Sequence, residues 1–285
     1  MKPIIIYPCE WGNINKIDED YTLEKEVASE LGFLTYNFNY DEFVNGDKLK
    51  LSVSSLNNKN VVYRGWMMTV EQYRRFYSEL KSLGGNLVTT PEEYEYTHHF
   101  INSYDKIDRY TPKTIWFRDE EQINWDKVRN ELGDKFIVKD YVKSVKGFDF
   151  PEYLESSMTN EELDKYIDKF KQLRGNLYQG GIVLKKYVQL DKNNGHTHEF
   201  RGFFINHGCR LMYHNSDNKE DLVPFHMGNE YAMTMLHSCF YTIDYARLEN
   251  GEYIVIEVGD GQVSGIPLDR KIAKQLYKYI AKLEN

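Results

Sequence analysis

With 285 residues, 41% of them hydrophobic and 28% charged, the chain can bury a large core and reads as a globular protein of two or three coupled subdomains, not a disordered one. A formal net charge of −8 argues against a generic nucleic-acid binder, which carries a basic excess or stripe. No apolar run approaches the roughly 18 residues of a membrane span. Three cysteines, Cys9, Cys209 and Cys239, form no CxxC pair and point to a reducing, cytoplasmic setting.

The first hundred residues alternate strand and helix. Met1–Tyr7 turns polar too quickly for a signal peptide, and Ile4–Tyr7 reads as a first strand. Thr22 is placed to cap a helix whose Leu23, Val27 and Leu31 fall at helical spacing before Gly32. Phe33–Phe38 and Val61–Tyr63 read as strands, and Thr69-Val70-Glu71-Gln72 as a capping box for a helix ending near Gly84-Gly85. Leu87-Val88 starts a short strand, and Pro91 and Pro112 punctuate the chain. This βαβ pattern predicts a small parallel sheet.

From about Thr114 the texture changes. Thr114–Phe117 and Phe136–Val142 read as strands, and Thr159-Asn160-Glu161-Glu162 opens a helix to about Arg174. Ile182–Leu190, Glu199–Asn206 and Cys209–His214 read as mostly antiparallel strands, the last two joined at His207-Gly208. A helix over Glu230–Phe240, a hairpin of Tyr241–Leu248 and Glu252–Val258, and a last helix over Asp269–Leu283 complete the order. The class is α/β first and α+β afterwards, with units at 1–100, 101–180 and 181–285.

Asn250-Gly251 between two β-rich runs is a strong hairpin signal, favouring a two-residue turn. Counting back from that turn, Asp244 falls directly opposite Glu257, with Cβ atoms roughly 4.5–5.5 Å apart. Two like charges so placed call for a cation, and hard oxygen ligands suit Mg²⁺, which takes one or two carboxylates and fills its other positions with water and phosphate. Asp260, at the strand's end, is a candidate third ligand. The flanking Ile243, Ala246, Ile254, Val255 and Ile256 make solvated acids a poor alternative, because buried carboxylates need partners. Arg247 or a lysine would also serve as that partner.

Phosphates need positive charge. Phe136-Ile137-Val138-Lys139 is an apolar strand ending in lysine, and if it continues, Lys139, Tyr141 and Lys143 share one face. Ser144–Gly147 then makes a small basic loop able to fold over phosphates. A solvated strand face is the plainer alternative. Glu199 and Arg201 share a strand face, where arginine suits carboxylates and phosphates, or pairs with the glutamate. Arg64, after a strand end, is either a carboxylate clamp or a structural arginine.

Taken together, these features resemble the ATP-grasp superfamily, and within it the RimK-related proteins. The stretches that carry the resemblance are Tyr63-Arg64-Gly65-Trp66-Met67, Phe136–Lys143, Glu199-Phe200-Arg201-Gly202 and Val255–Gln262. It implies a pre-ATP-grasp parallel-sheet domain followed by two subdomains that sandwich ATP. It also implies a carboxylate–amine ligase that forms an amide through an acyl phosphate, using ATP and Mg²⁺. Lys139 would contact the phosphates with help from Lys143. Lys185-Lys186-Tyr187-Val188 would be the hinge reading adenine, and Glu199 would lie near the ribose. Arg201 would stabilise the transferring phosphoryl group, and Asp244 and Glu257 would hold magnesium. The family commonly has Glu-x-Asn at the second metal position, where Gly259 stands here, so the role of Asp260 is open. Expected partners are a small-molecule, amino-acid or peptide/protein substrate, with the oligomeric state open, a homodimer included.

Other readings fail. Gly259–Gly265 has the wrong spacing for a dinucleotide fingerprint and no second strand after it. His196/His198 and His98-His99 lack a third zinc ligand at ligand spacing. No P-loop or GxSxG elbow occurs. An ATP-binding regulatory or scaffold protein without ligation is the rival that survives.

Overall fold

The structure, a computed structural model, describes residues 2–145, 147, 149–216 and 233–283. Three main sheets follow one another along the chain. The first contains β1 (Ile4–Glu10), β2 (Asn13–Ile17), β3 (Thr35–Phe38), β4 (Lys59–Tyr63) and β5 (Gly85–Leu87). β1 pairs in parallel with β3 and β4, β4 in parallel with β5, and β2 folds back on β1. Helices α1 (Thr22–Glu30), α2 (Tyr40–Val44), α3 (Val70–Ser82), α4 (Pro91–His98) and α5 (Phe100–Ile107) accompany them.

The second sheet is antiparallel, in the order β6-β9-β7-β8, with β6 (Thr114–Arg118), β7 (Lys135–Lys139), β8 (Leu154–Glu155) and β9 (Gly181–Lys186). It packs on α6 (Trp125–Leu132) and α7 (Asn160–Arg174), burying Phe117, Trp125, Phe136, Leu163 and Phe170 in one core. A two-stranded ribbon, β10 (Lys192–Asn193) and β11 (His196–Thr197), leads to the third sheet. Its order is β13-β12-β14-β15, with β12 (Glu199–Ile205), β13 (Gly208–His214), β14 (Phe240–Arg247) and β15 (Tyr253–Asp260). The last helix, α8 (Arg270–Ile280), packs against α1.

Two of the expected unit boundaries shift. β9 belongs to the second sheet, so that unit continues past residue 180 to Lys186. α8 returns to the first sheet, and Leu276, Tyr277 and Ile280 share a core with Ile5, Tyr7, Phe203 and Phe240. The physical cause is an amphipathic helix whose apolar stripe finds its partner near the start of the chain.

Local chemistry accounts for the other differences. The capping boxes at Thr69–Gln72 and Thr159–Glu162 both form. A third, Thr90–Glu93, places Pro91 in the first turn of α4, so this proline opens a helix. Thr22 is the first residue of α1, not a side-chain cap. The β12–β13 turn is Asn206-His207, both left-handed at φ +48° and +59°, one residue earlier than expected. Of the helix expected at Glu230–Phe240, residues 230–232 lie outside the described residues, and Phe240 belongs to β14. No helix among the described residues is long and apolar enough to cross a membrane.

Candidate active site

The third sheet places its charged residues by register. On β12, Arg201, Phe203 and Ile205 alternate onto one face, while Phe200 and Phe204 point into the core on the other. Arg201 lies opposite Asp244 on β14, and Asp244 opposite Glu257 on β15. Three charged side chains thus form a row at one end of a face whose other end is closed by Phe203, Ile205 and Phe240 against the first sheet.

Glu257 reaches that row through two departures from an ideal hairpin. The turn has three residues, Glu249-Asn250-Gly251, because Leu248 and Glu252 close it and Gly251 takes φ +87°. This moves the register by one, so Tyr245 pairs with Val255 where Asp244 would then meet Ile256. A bulge at Ile256 restores the original register, and Asp244 faces Glu257 after all. The bulge also leaves Val255 and Val258 together in the apolar core below. Without it Glu257 would point into that core.

The acids are engaged. Arg201 holds Asp244 with a two-pronged bond, Nε to Oδ1 at 2.7 Å and Nη2 to Oδ2 at 2.7 Å, and its Nη1 donates to the Gly265 carbonyl at 3.2 Å. Asn215 Nδ2 donates to Asp244 Oδ2 at 3.2 Å. Arg201 is therefore the partner of Asp244, not of Glu199, which instead accepts from the Thr197 hydroxyl at 2.7 Å. Arg247 pairs with Asp191 at 2.6 Å.

Glu257 lies 3.0 Å from Lys143 Nζ and 3.9 Å from Lys139 Nζ. Burial would raise its carboxyl, but Lys139 and then Lys143 outweigh it and hold the group down at about 2. Lys185 Nζ donates to the carbonyl of the bulged Ile256 at 3.0 Å and sits 4.5 Å above the Phe100 ring. Burial, reinforced by Lys139, pulls the Lys185 ammonium well below its usual range.

The lysine stripe takes another form than expected. β7 ends at Lys139, because Asp140 Oδ1 accepts from the amides of Val142 at 2.7 Å and Lys143 at 2.6 Å, and this bends the chain into an Asx turn. Arg174 pins Asp140 from behind at 2.8 Å. Tyr141 is thereby turned away against Gly180, where a side chain's Cβ would collide with the ring. Lys139 and Lys143 still converge on Glu257, through a turn and not a strand face. Of the basic loop Ser144–Gly147, Lys146 lies outside the described residues.

Beside this cluster lies a cavity of 380 Å³, lined by Lys139, Lys185, Glu199 and Glu257 and by the apolar Ile137, Phe150, Leu190 and Ile256. Lys186, the last residue of β9, and Tyr187 and Val188 just past it line the same cavity. A polar end facing an apolar slot between two sheets is a form suited to a nucleotide, with phosphates at the lysines and a base against the aliphatic wall.

Asp260 is placed apart from the row. Three residues from Glu257, it falls on the opposite pleat, and its Oδ1 accepts from Gln262 N at 2.9 Å and Nε2 at 3.2 Å. Burial pushes its carboxyl up to about 7 against the pull of those bonds. Arg64 is structural. It is fully buried, bonds both oxygens of Glu24 at 2.8 Å, and donates to the carbonyls of Gly261, Gln262 and Ser264. It ties the loop after β15 to the first sheet and is not a free clamp.

No group of three or more His, Cys, Asp or Glu among the described residues could by itself hold a metal. The Asp244–Glu257 pair nevertheless suits Mg²⁺ bound with a nucleotide, since one or two carboxylates suffice when phosphates complete the shell. Asp244 Oδ1 keeps a lone pair beyond its bond to Arg201, whereas Oδ2 accepts from both Arg201 and Asn215.

Comparison with known proteins identifies the family and the fold. The sequence model of the family described as ATP-grasp domain, R2K clade family 3, matches residues 131–280. Solved structures of similar fold include the D-cycloserine synthetase DcsG, at TM-score 0.62 and 14% identity, covering 98% of this chain and 99% of that one. The macrocyclase MdnC from Microcystis aeruginosa MRC, bound with its precursor peptide MdnA, gives TM-score 0.60 at 13% identity, covering 98% and 99%. D-alanine–D-alanine ligase from Bacillus anthracis gives TM-score 0.58 at 13% identity, covering 99% and 94%. No curated protein matches. A family match over more than half of the chain, with full-length likeness to ATP-grasp structures, shows that this chain belongs to the ATP-grasp proteins, in family 3 of the R2K clade.

Proposed function

We propose that the protein is an ATP-dependent carboxylate–amine ligase, forming an amide through an acyl phosphate and releasing ADP and phosphate. The observation that carries this reading is the in-register row Arg201–Asp244–Glu257, set against Lys139, Lys143 and Lys185 beside a nucleotide-sized cavity. Phosphoryl transfer asks little of a protein beyond positioning and charge neutralisation. The three lysines would neutralise the phosphates. Arg201, held in orientation by Asp244, would face the charge that develops on the transferred group. Lys186, Tyr187 and Val188 would take the adenine edge and Glu199 the ribose. Asp244 and Glu257 would hold magnesium, which supplies positive charge to the phosphates when bound.

A substrate carboxylate then takes the γ-phosphoryl group from ATP. An amine attacks the resulting acyl carbon, the C–N bond forms, the C–O bond to phosphate breaks with both electrons leaving on phosphate, and the proton that nitrogen gives up ends on the released phosphate. The fold likeness to a D-cycloserine synthetase, a macrocyclase bound with its precursor peptide and a D-alanine–D-alanine ligase supports this class. The test is ADP and phosphate release from ATP and Mg²⁺ with pools of carboxylates, amino acids and peptides, with hydroxylamine to trap an acyl phosphate as hydroxamate. Release that depends on an acceptor, with hydroxamate formed, is the expected result. Nucleotide binding without turnover across those pools would favour an ATP-binding regulatory protein instead.

A further inference from the structure

The row of facing residues in the third sheet runs one strand further than its charged groups. Tyr213 on β13 lies opposite Arg201 on β12, so Tyr213, Arg201, Asp244 and Glu257 stand side by side across all four strands. Residues directly opposite share a face, and Tyr213 joins Phe203 and Leu211 in the core against the first sheet. It is 5% exposed, and its ring is stacked on Phe203 with centroids 6.3 Å apart. The hydroxyl reaches past this core to the loop after β15 and donates to the Gly265 carbonyl at 2.8 Å. Burial pushes that hydroxyl above its usual range in spite of the nearby Arg201, so it stays protonated and remains a donor.

The same carbonyl accepts from Arg201 Nη1 at 3.2 Å. Asp244 takes Nε and Nη2 of the guanidinium, so Gly265 supplies a second anchor, on Nη1. A guanidinium carries five N–H groups, and these three bonds leave one on each terminal nitrogen. Where those two point depends on both anchors. Asp244 is fixed by its strand, but Gly265 is held by little else. It is exposed, its amide donates to no described residue, and a Cβ there would meet nothing within 4 Å. Arg64 holds the carbonyls of Gly261, Gln262 and Ser264 and stops one residue short of it. The place of the Gly265 carbonyl therefore rests on Tyr213, whose buried ring cannot move, and on Arg201 itself.

We propose that Tyr213 is a positioning residue for phosphoryl transfer: its hydroxyl fixes the Gly265 carbonyl against Arg201 Nη1, and the guanidinium, anchored at both Asp244 and Gly265, keeps its two remaining N–H groups in one orientation for the transferred group. This inference rests on the ligase reading and adds a residue that acts through Arg201 without touching the nucleotide. Donors fixed before the reaction are worth most where charge develops in the transition state. A tyrosine that merely filled the core would be replaced by phenylalanine without consequence for Arg201.

NMR of the full chain, labelled with ¹³C and ¹⁵N in arginine, reads rotation about the Cζ–Nη1 bond of Arg201, whose signals are assigned by their loss in Arg201→Lys. In the nucleotide-free wild type this rotation should be at least tenfold slower than in the exposed Arg118. Tyr213→Phe, which keeps the ring, should speed it tenfold or more. Calorimetric titration should show this variant binding a non-hydrolysable ATP analogue with Mg²⁺ within twofold of the wild type. It should bind ADP, Mg²⁺ and fluoroaluminate, a mimic of the phosphoryl group in transfer, at least tenfold more weakly. Leu211→Ala, which removes packing from the same strand and core, should lower stability and leave both readings unchanged. Rotation in the wild type as fast as that of Arg118 would overturn the proposal even if Tyr213→Phe fails to fold. So would a Tyr213→Phe variant with unchanged rotation or unchanged fluoroaluminate affinity, or a Leu211→Ala variant that frees Arg201 equally. A wild type that takes up neither nucleotide complex would count against the ligase reading alone, because the rotation is read without nucleotide.

Discussion

Replacing Glu257 by glutamine removes one negative charge from between two lysines and leaves the shape intact. Lys143 lies at 3.0 Å and Lys139 at 3.9 Å. At an effective dielectric constant of about 20, these distances correspond to roughly 4–6 kcal/mol of gross attraction each. Most of that is cancelled by desolvation, and the site is only partly dry: the Glu257 side chain is 24% exposed and that of Lys143 38%. Breaking a fully buried pair costs about 3–5 kcal/mol and an exposed one about 0–1. The net loss for Glu257→Gln should fall at ~1–3 kcal/mol, a drop in Tm of roughly 2–10 °C. Phosphates can replace the lost carboxylate as counter-charge, so a saturating ATP analogue without metal should reverse most of the drop. That analogue should bind the variant at least as tightly as it binds the wild type. Adding Mg²⁺ should tighten nucleotide binding to the wild type and tighten it at least tenfold less in the variant. Differential scanning fluorimetry and calorimetric titration, each with and without Mg²⁺, read these quantities. A variant with unchanged Tm and an undiminished response to Mg²⁺ would refute the reasoning.

Three further outcomes are expected. Arg64→Met leaves the Glu24 carboxylate buried without its cation and strips three carbonyls of a donor; it should cost about 3–5 kcal/mol in denaturant unfolding, with any activity loss tracking unfolding. Lys185→Met keeps the volume beside Phe100 and removes an ammonium whose charge burial disfavours; unfolding stability should hold or rise, while fluorescence titration shows nucleotide affinity reduced tenfold or more. Asp260 has a folded-state pKa raised to about 7, so its stability contribution is complete below pH ~4 and is lost as pH rises through about 7. Asp260→Asn should therefore gain on the wild type between those limits, by roughly 4 kcal/mol at most, and denaturant midpoints at pH 4.5 and 8 compare the two directly.

The parts of this molecule legible in its sequence are those set by short-range chemistry. The boxes at Thr69–Gln72 and Thr159–Glu162 are local hydrogen-bond patterns and form as read. The facing of Asp244 and Glu257 was also readable from Asn250-Gly251, although two deviations, an extra turn residue and the bulge at Ile256, cancel to produce it. What sequence could not show was which strand lies beside β14. The segment between β13 and β14 is long, so nothing local announces that Arg201 meets Asp244 or that Asn215 joins them. The Asx turn at Asp140 carried a readable signal, an acid two and three residues before the amides it caps, but the alternation of Lys139, Tyr141 and Lys143 suggested a strand. The buried ammonium of Lys185 owes its place to packing between distant elements. No periodicity marks it.

Asp244 and Glu257 are proposed to grip divalent ions beside a triphosphate. Crystals grown with a non-hydrolysable ATP analogue and Mn²⁺ test it through the anomalous signal of the metal. The expected result is a manganese peak shared by Asp244, Glu257 and the phosphates, with Lys139 and Lys143 turned from Glu257 toward phosphate oxygens. Manganese bound elsewhere, with Lys143 still on Glu257 and the triphosphate outside the 380 Å³ cavity, would contradict it.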